Sequence, residues 1–220
     1  VEELENRYVN FSDREYLSTI HNFYSDFMPD YLAKVKHTKW NYLKWKGLTL
    51  MKDPMSLSIY QQMLQDIKPK TILEFGTFEG GSALWMSDLL KSFSIDCDIH
   101  TFDINDDRVN LPNSENIFFH HLDNHKIIEY AEKNKTFFEQ LKHPILAIED
   151  SHENSSELLH VIDGYLTSGD YLVIEDTLSE WKHEMLEKFA LNYNYLVDSH
   201  YCDFWGYNNS WNLNSFLKKI

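Results

Sequence analysis

The sequence predicts an α/β fold: a mostly parallel sheet of seven strands with helices on both faces, preceded by an N-terminal helical lid. Three observations predict it. From Lys70 onward, short β-rich runs alternate with helical segments, as in βαβ units. The runs are almost continuously apolar, which is how strands covered on both faces read. The first run passes through a glycine-rich turn directly into a helix, the loop type at which such sheets bind ligands.

Residues 1–65 read as a helical and irregular extension, the lid. "DREYLSTIHNFYSDFMPDYLAK" has apolar residues at helical spacing, and "HTKWNYLKWKGLTLMKDP" is an aromatic, basic loop broken by Gly47 and Pro54. "PMSLSIYQQMLQDIKP" predicts a helix with Pro54 at its start and Pro69 past its end. Residues 66–220 form the second unit. Its strands are "TILEFG", "DIHTFDI", "NIFFHHL", "PILAIED", "YLVIED" and "YNYLVD", with a final antiparallel strand at "NSFLKK". Between them lie the predicted helices "GGSALWMSDLLKSF", "DNHKIIEYAEKN", "SSELLHVIDGYL" and "EWKHEMLEKFAL".

Composition narrows the function. A formal charge of −15 argues against wrapping nucleic acid or lying on an anionic membrane, since both need clustered Lys and Arg. No apolar run approaches the ~20 residues that cross a bilayer. The N-terminus is acidic and amphipathic, unlike a secretory signal. Cys97 and Cys202 stand far apart with no CxxC pattern and read as free thiols of a reducing compartment, so a cytoplasmic location is expected.

The loop after the first strand carries the first candidate site. Gly76 and Gly81, with Thr77 between them, fit a dinucleotide fingerprint, but Phe78 stands where its second glycine belongs. Glu74 at the strand end would oppose phosphate. A zwitterionic, phosphate-free ligand fits better, and S-adenosylmethionine (SAM) is one, with Gly76 admitting it to the backbone and Ser82 reaching its carboxylate. A tight turn without a ligand is the alternative. Asp103, ending the second strand, is placed to accept both ribose hydroxyls, and Asp123, after the third, to meet the adenine amino group. Either residue can instead cap the helix that follows.

The fourth and fifth strands both stop at Glu-Asp. Asp150, Glu175 and Asp176 would then converge at neighbouring strand ends, where carboxylates repel unless a cation lies among them. Oxygen ligands suit Mg²⁺, with Mn²⁺ as a substitute; independent solvation or capping of each acid is the alternative. His152 can act as general base, metal ligand or structural residue. His120 and His121, inside the third strand, read as structural.

Four segments carry a family resemblance: "WKGLTLMKDPMSLSIYQQML", "ILEFGTFEGGSAL", "AIEDSHENSSELLHVIDGYLTSGDYLVIEDT" and "FWGYNNSWNLNSFLKK". Together they make roughly residues 40–220 similar to the cephalosporin hydroxylase/rhamnosyl O-methyltransferase family. The resemblance implies a Rossmann-like class I SAM-dependent methyltransferase domain, with a metal on Asp150, Glu175 and Asp176. It implies metal-assisted methyl transfer to a hydroxyl of a small molecule, a sugar or another natural-product intermediate; Asp150 and, as the preferred base, His152 are the expected catalytic residues. A homo-oligomer, dimer or higher, is expected. Trp40, Tyr42, Trp45 and Trp205 either wall a ring-shaped acceptor or pack the lid onto the core. The alternatives are a metal-independent methyltransferase, a hydroxylase, which lacks a recognisable 2-His-1-carboxylate pattern, and a non-catalytic SAM-binding protein.

Overall fold

A computed structural model of the chain describes residues 7–20, 25–26, 28–30 and 43–220. Ten strands are described. Eight of them form one sheet, in the order β1 (Tyr8–Val9), β9 (Tyr195–Asp198), β10 (Phe216–Lys219), β8 (Tyr171–Ile174), β7 (Ile145–Glu149), β4 (Thr71–Phe75), β5 (Asp98–Asp103), β6 (Ile117–His121). The strand count is therefore eight, a correction to the expected seven. The extra strand is β1, whose two residues pair antiparallel with Asp198 and Val197 at the sheet edge. All the strands expected from Lys70 onward are present. β4, β7 and β8 are buried at every residue, as their unbroken apolar sequences require.

The connections fix the layers. β4, β5 and β6 progress one way across the sheet, whereas β7 and β8 lie on the other side of β4. Right-handed crossovers then put α2 (Gly81–Ser92) on one face. They put α3 (Ile127–Lys133), α5 (Ser155–Asp163) and α6 (Glu180–Asn192) on the other. The contacts agree: α3 packs on α5, α5 on α6, and α1 (Pro54–Ile67) on α2. Two further short helices are α4 (Lys135–Glu139) and α7 (Ser199–Cys202). α1 starts as its sequence says it should: Pro54 is its first residue, and the Asp53 carboxylate accepts from the N–H groups of Met55 and Ser56. It buries Ile59, Tyr60, Met63 and Leu64 in the same core as the sheet.

Of the expected N-terminal helices, residues 20, 25–26 and 29–30 are helical among the described residues. Residues 14–19 are not helical, and residues 43–50, expected to be irregular, form a hairpin of β2 (Leu43–Trp45) and β3 (Leu48–Leu50). Its turn is Lys46-Gly47, with φ of 48° and 93°, the two positive values of a tight hairpin turn. Most of residues 21–42, including Trp40 and Tyr42, lies outside the described residues. Both cysteines are buried free thiols, their pKa pushed by burial up to about 12. Among the described residues no helix is long and apolar enough to cross a membrane.

Candidate active site

The sheet reverses its order between β4 and β7, and the strand register lines up the ends there. Phe75 pairs with Phe102 and Glu149, and Glu149 with Ile174. The next residues, Gly76, Asp103, Asp150 and Glu175, therefore share one rim, where such sheets bind ligands. A cavity of about 860 Å³ opens over it, within the range of small-molecule sites. Gly76 lies on its floor at φ +114°, and a Cβ there would come 2.6 Å from the Asp150 carbonyl oxygen. Only glycine fits that approach.

Thr77, Phe78, Ser82, Asp103 and Asp123 line the cavity as expected. The Asp103 carboxylate accepts from the Phe78 and Asn105 N–H groups, both at 2.9 Å, which ties the loop after β4 to the end of β5. Asp123 accepts from the His125 N–H at 3.0 Å. Two expected residues do not line the cavity. Glu74 is buried beneath the loop, where it accepts from the hydroxyls of Thr101 and Ser82, and burial raises its pKa. Gly81 faces the hairpin, since a Cβ there would sit 2.1 Å from the Thr49 carbonyl oxygen. Its missing side chain makes room for β3.

The two Glu-Asp endings share a pattern. Each glutamate is buried on a buried lysine, and both aspartates line the cavity together with Glu175. Glu149 meets Lys182 at 3.0 Å. Its other oxygen accepts from the Ser151 and His152 N–H groups and the Ser151 and Ser155 hydroxyls, at 2.9–3.2 Å, and so sets the loop after β7. Glu175 accepts from the Tyr60 hydroxyl and pairs with Lys52 at 2.9 Å. Lys52 also bonds Asp150 at 2.8 Å. Burial opposes charge on Lys52, but Asp150 and Glu175 outweigh it and raise its pKa. Burial also favours the neutral form of Glu175, yet Lys52 and Tyr60 hold its pKa below the usual value. Burial, with Glu175 and Asp176 close by, pushes Asp150 up to about 8 against the pull of Lys52.

One group of donors among the described residues lies close enough to share a metal ion, and it joins two of the three expected carboxylates to His152. Asp150, His152 and Asp176 each offer a ligand atom within 4.8 Å of the others. His152 Nε2 is 3.6 Å from Asp150 Oδ1 and 3.3 Å from Asp176 Oδ2. Glu175, the third expected ligand, lines the same cavity and is engaged by Lys52 and Tyr60. His152 and Asp176 both have a φ of 59°, left-handed values that non-glycine residues adopt at a cost and that cluster at functional sites. Two carboxylates and an imidazole suit Mn²⁺ at least as well as Mg²⁺. Sequence reasoning missed Lys52, Tyr60, Lys182 and Trp211. Lys52 and Trp211 line the cavity, and Tyr60 and Lys182 hold its acids. Trp45 and Trp205 do not line it: Trp45 donates to Asp88 at 2.7 Å and Trp205 to Ser58 at 3.0 Å.

The sequence model of the Rhamnosyl O-methyltransferase/CmcI family matches residues 37–190, well over half the chain. The chain belongs to that family. The rhamnosyl O-methyltransferase of Mycobacterium leprae is 26% identical over 162 residues, 69% of this chain and 67% of that protein. The rhamnosyl O-methyltransferase of Mycobacterium tuberculosis is also 26% identical, over 63% of this chain and 58% of its own length. The chain thus spans about three fifths to two thirds of the length of these relatives. Among solved structures, apo CmcI is 27% identical with a TM-score of 0.67, covering 86% of this chain and 84% of that one. CmcI with Mg and SAM is 30% identical with a TM-score of 0.65 and the same coverage.

Proposed function

We propose that this protein transfers the methyl group of SAM to a hydroxyl of a small molecule, with a divalent cation held by Asp150, His152 and Asp176. The acceptor in this reading is a sugar or a sugar-bearing natural-product intermediate, by similarity to the rhamnosyl O-methyltransferases. Family membership makes the chain a SAM-dependent O-methyltransferase. One observation carries the rest: a single cavity is lined both by Gly76 and Asp103 and by the Asp150–His152–Asp176 cluster.

SAM, when bound, supplies a methyl already activated on a sulfonium, and the cation supplies positive charge that lowers the acceptor hydroxyl's pKa. The chain's own residues do the positioning. Gly76 gives backbone access, and Asp103 at the rim accepts hydrogen bonds from ribose hydroxyls. Asp150 and Asp176 present negative charge to the acceptor end. His152 Nε2 faces both aspartates, which favours a cation-holding role over the general-base role, because both roles need the same lone pair. Positioning supplies most of the acceleration.

The test is isothermal titration with SAM, with and without Mg²⁺, followed by methyl transfer to a panel of sugars, catechols and glycosylated natural products under EDTA and with Mg²⁺ or Mn²⁺ restored. SAM binding and an EDTA-sensitive rate are expected. An active acceptor whose rate ignores EDTA removes the metal from the reading. One observation favours that metal-independent form: Lys52 already places a cation between two of the acids. Light scattering tests the homo-oligomer that this reading also includes.

A further inference from the structure

His152 and Asp176 face each other across the cavity from two different loops, and both stand at a φ of 59°. Side chains other than glycine's enter that left-handed region at a cost, and they stay there only where the surroundings over-determine the backbone. The bonds that do so lead to one buried ion pair, Glu149–Lys182. Glu149 Oε1 accepts from the His152 N–H at 3.1 Å, from the Ser151 N–H and hydroxyl, and from the Ser155 hydroxyl. Glu149 Oε2 accepts from Lys182 Nζ at 3.0 Å. The same ammonium donates to the Glu175 carbonyl at 2.8 Å. That carbonyl belongs to the peptide unit leading into Asp176, whose N–H donates to Asn212 Oδ1 at 3.0 Å. The peptide before Asp176 is thus held at both of its polar groups. Apolar side chains of similar size would stabilise this interior as well as a buried ion pair does. They could not take hydrogen bonds from one loop and give one to the other.

We propose that Glu149 and Lys182 are positioning residues: the pair braces the loop after β7 to the loop after β8. It thereby sets the separation of His152 Nε2 and Asp176 Oδ2, 3.3 Å, at which both can face one cation. The inference rests on the proposed divalent-cation reading.

The test is titration of the full chain with Mn²⁺ alone, reading free Mn²⁺ by electron paramagnetic resonance. Wild type, Lys182→Met, the Glu149→Gln/Lys182→Met double variant and Leu186→Ala are compared, with circular dichroism confirming folding. Leu186 is buried one turn further along α6, so Leu186→Ala loosens the helix without touching either loop's bonds. Lys182→Met should bind Mn²⁺ about tenfold more weakly or worse, the usual cost of losing a residue that orients metal ligands. Charge alone predicts the opposite, because removing a nearby positive charge strengthens cation binding. The double variant, which removes one charge of each sign, should be weakened as well, and Leu186→Ala should bind like wild type. A folded Lys182→Met that binds as tightly as wild type, or more tightly, overturns the proposal and leaves the metal site standing. Equal weakening in Leu186→Ala also overturns it, since looser packing of α6 would then be enough. Should Lys182→Met alone not fold, the double variant decides: wild-type affinity there overturns the proposal. Absence of Mn²⁺ binding in wild type overturns the cation reading and this inference with it.

Discussion

At Asp176 a single oxygen for nitrogen exchange separates charge from shape. Asp176→Asn should raise the metal concentration needed for half-maximal turnover by at least about tenfold while leaving SAM affinity nearly unchanged, because Gly76 and Asp103 are untouched. Equal loss of SAM binding in calorimetry would assign Asp176 to the cofactor instead. At the far side of the sheet, His100 Nδ1 lies 3.0 Å from His120 Nε2, and burial, with His120 beside it, pushes His100 down to about 4. Folded His100 therefore stays neutral where the unfolded chain, near 6.5, takes up a proton. Stability from this group is present above pH ~6.5 and is lost as pH falls towards about 4. The melting temperature should fall across that window, and His100→Phe should flatten the fall. At this scale the sequence identified the acids at the rim but not their partners. Lys52 and Lys182 each reach a glutamate far away in the chain, and no spacing in the sequence links either pair. Hence the pairing of each buried glutamate with a lysine was not readable.

The hairpin is the element that the sequence disguised. Leu43-Lys44-Trp45 and Leu48-Thr49-Leu50 alternate around Lys46-Gly47, yet the aromatic, basic composition reads as a loop. Three-residue strands are too short for period-2 patterning to stand out. The hairpin is bound to the cofactor loop and its helix: the Thr49 N–H donates to Glu79 at 2.8 Å, and Trp45 and Lys46 both reach Asp88. It leads directly into Lys52. Gly81→Ala forces a methyl against the Thr49 carbonyl, so this variant should lose about 1–3 kcal/mol in urea unfolding, with weaker SAM binding as the hairpin shifts. A variant as stable as wild type would show that the hairpin yields freely. The helices and central strands were legible because they are long or unbroken in their apolar pattern and are marked by Pro54, Pro69 and the Glu-Asp endings.

Across the whole molecule, residues at the two ends of the chain are fastened together. The Arg7 guanidinium makes two bonds of 2.8 Å to the buried Asp198 carboxylate, and Arg14 meets Asp203 at 2.6 Å. Arg7 also covers the Tyr201 ring. Arg7→Ala leaves Asp198 buried beside Tyr171 with its main cationic partner gone, and should cost about 3–5 kcal/mol in chemical denaturation. A loss below ~1 kcal/mol would make β1 an ornament of the edge. The eighth strand escaped the sequence because a two-residue bridge held by arginines has no hydrophobic signature.

β10 joins β8 to β9, pairing antiparallel with both. During synthesis, residues 71–198 can all leave the ribosome while the sheet still lacks its bridging strand, with two open edges facing a gap. Closure waits for residues 216–219, so the last step of folding is set by the progress of translation and not by the speed of the earlier βαβ units. Released chains truncated before Phe216 should accordingly remain protease-sensitive around β9 while the β4–β7 region is resistant, and chains that include residues 216–219 should close the sheet.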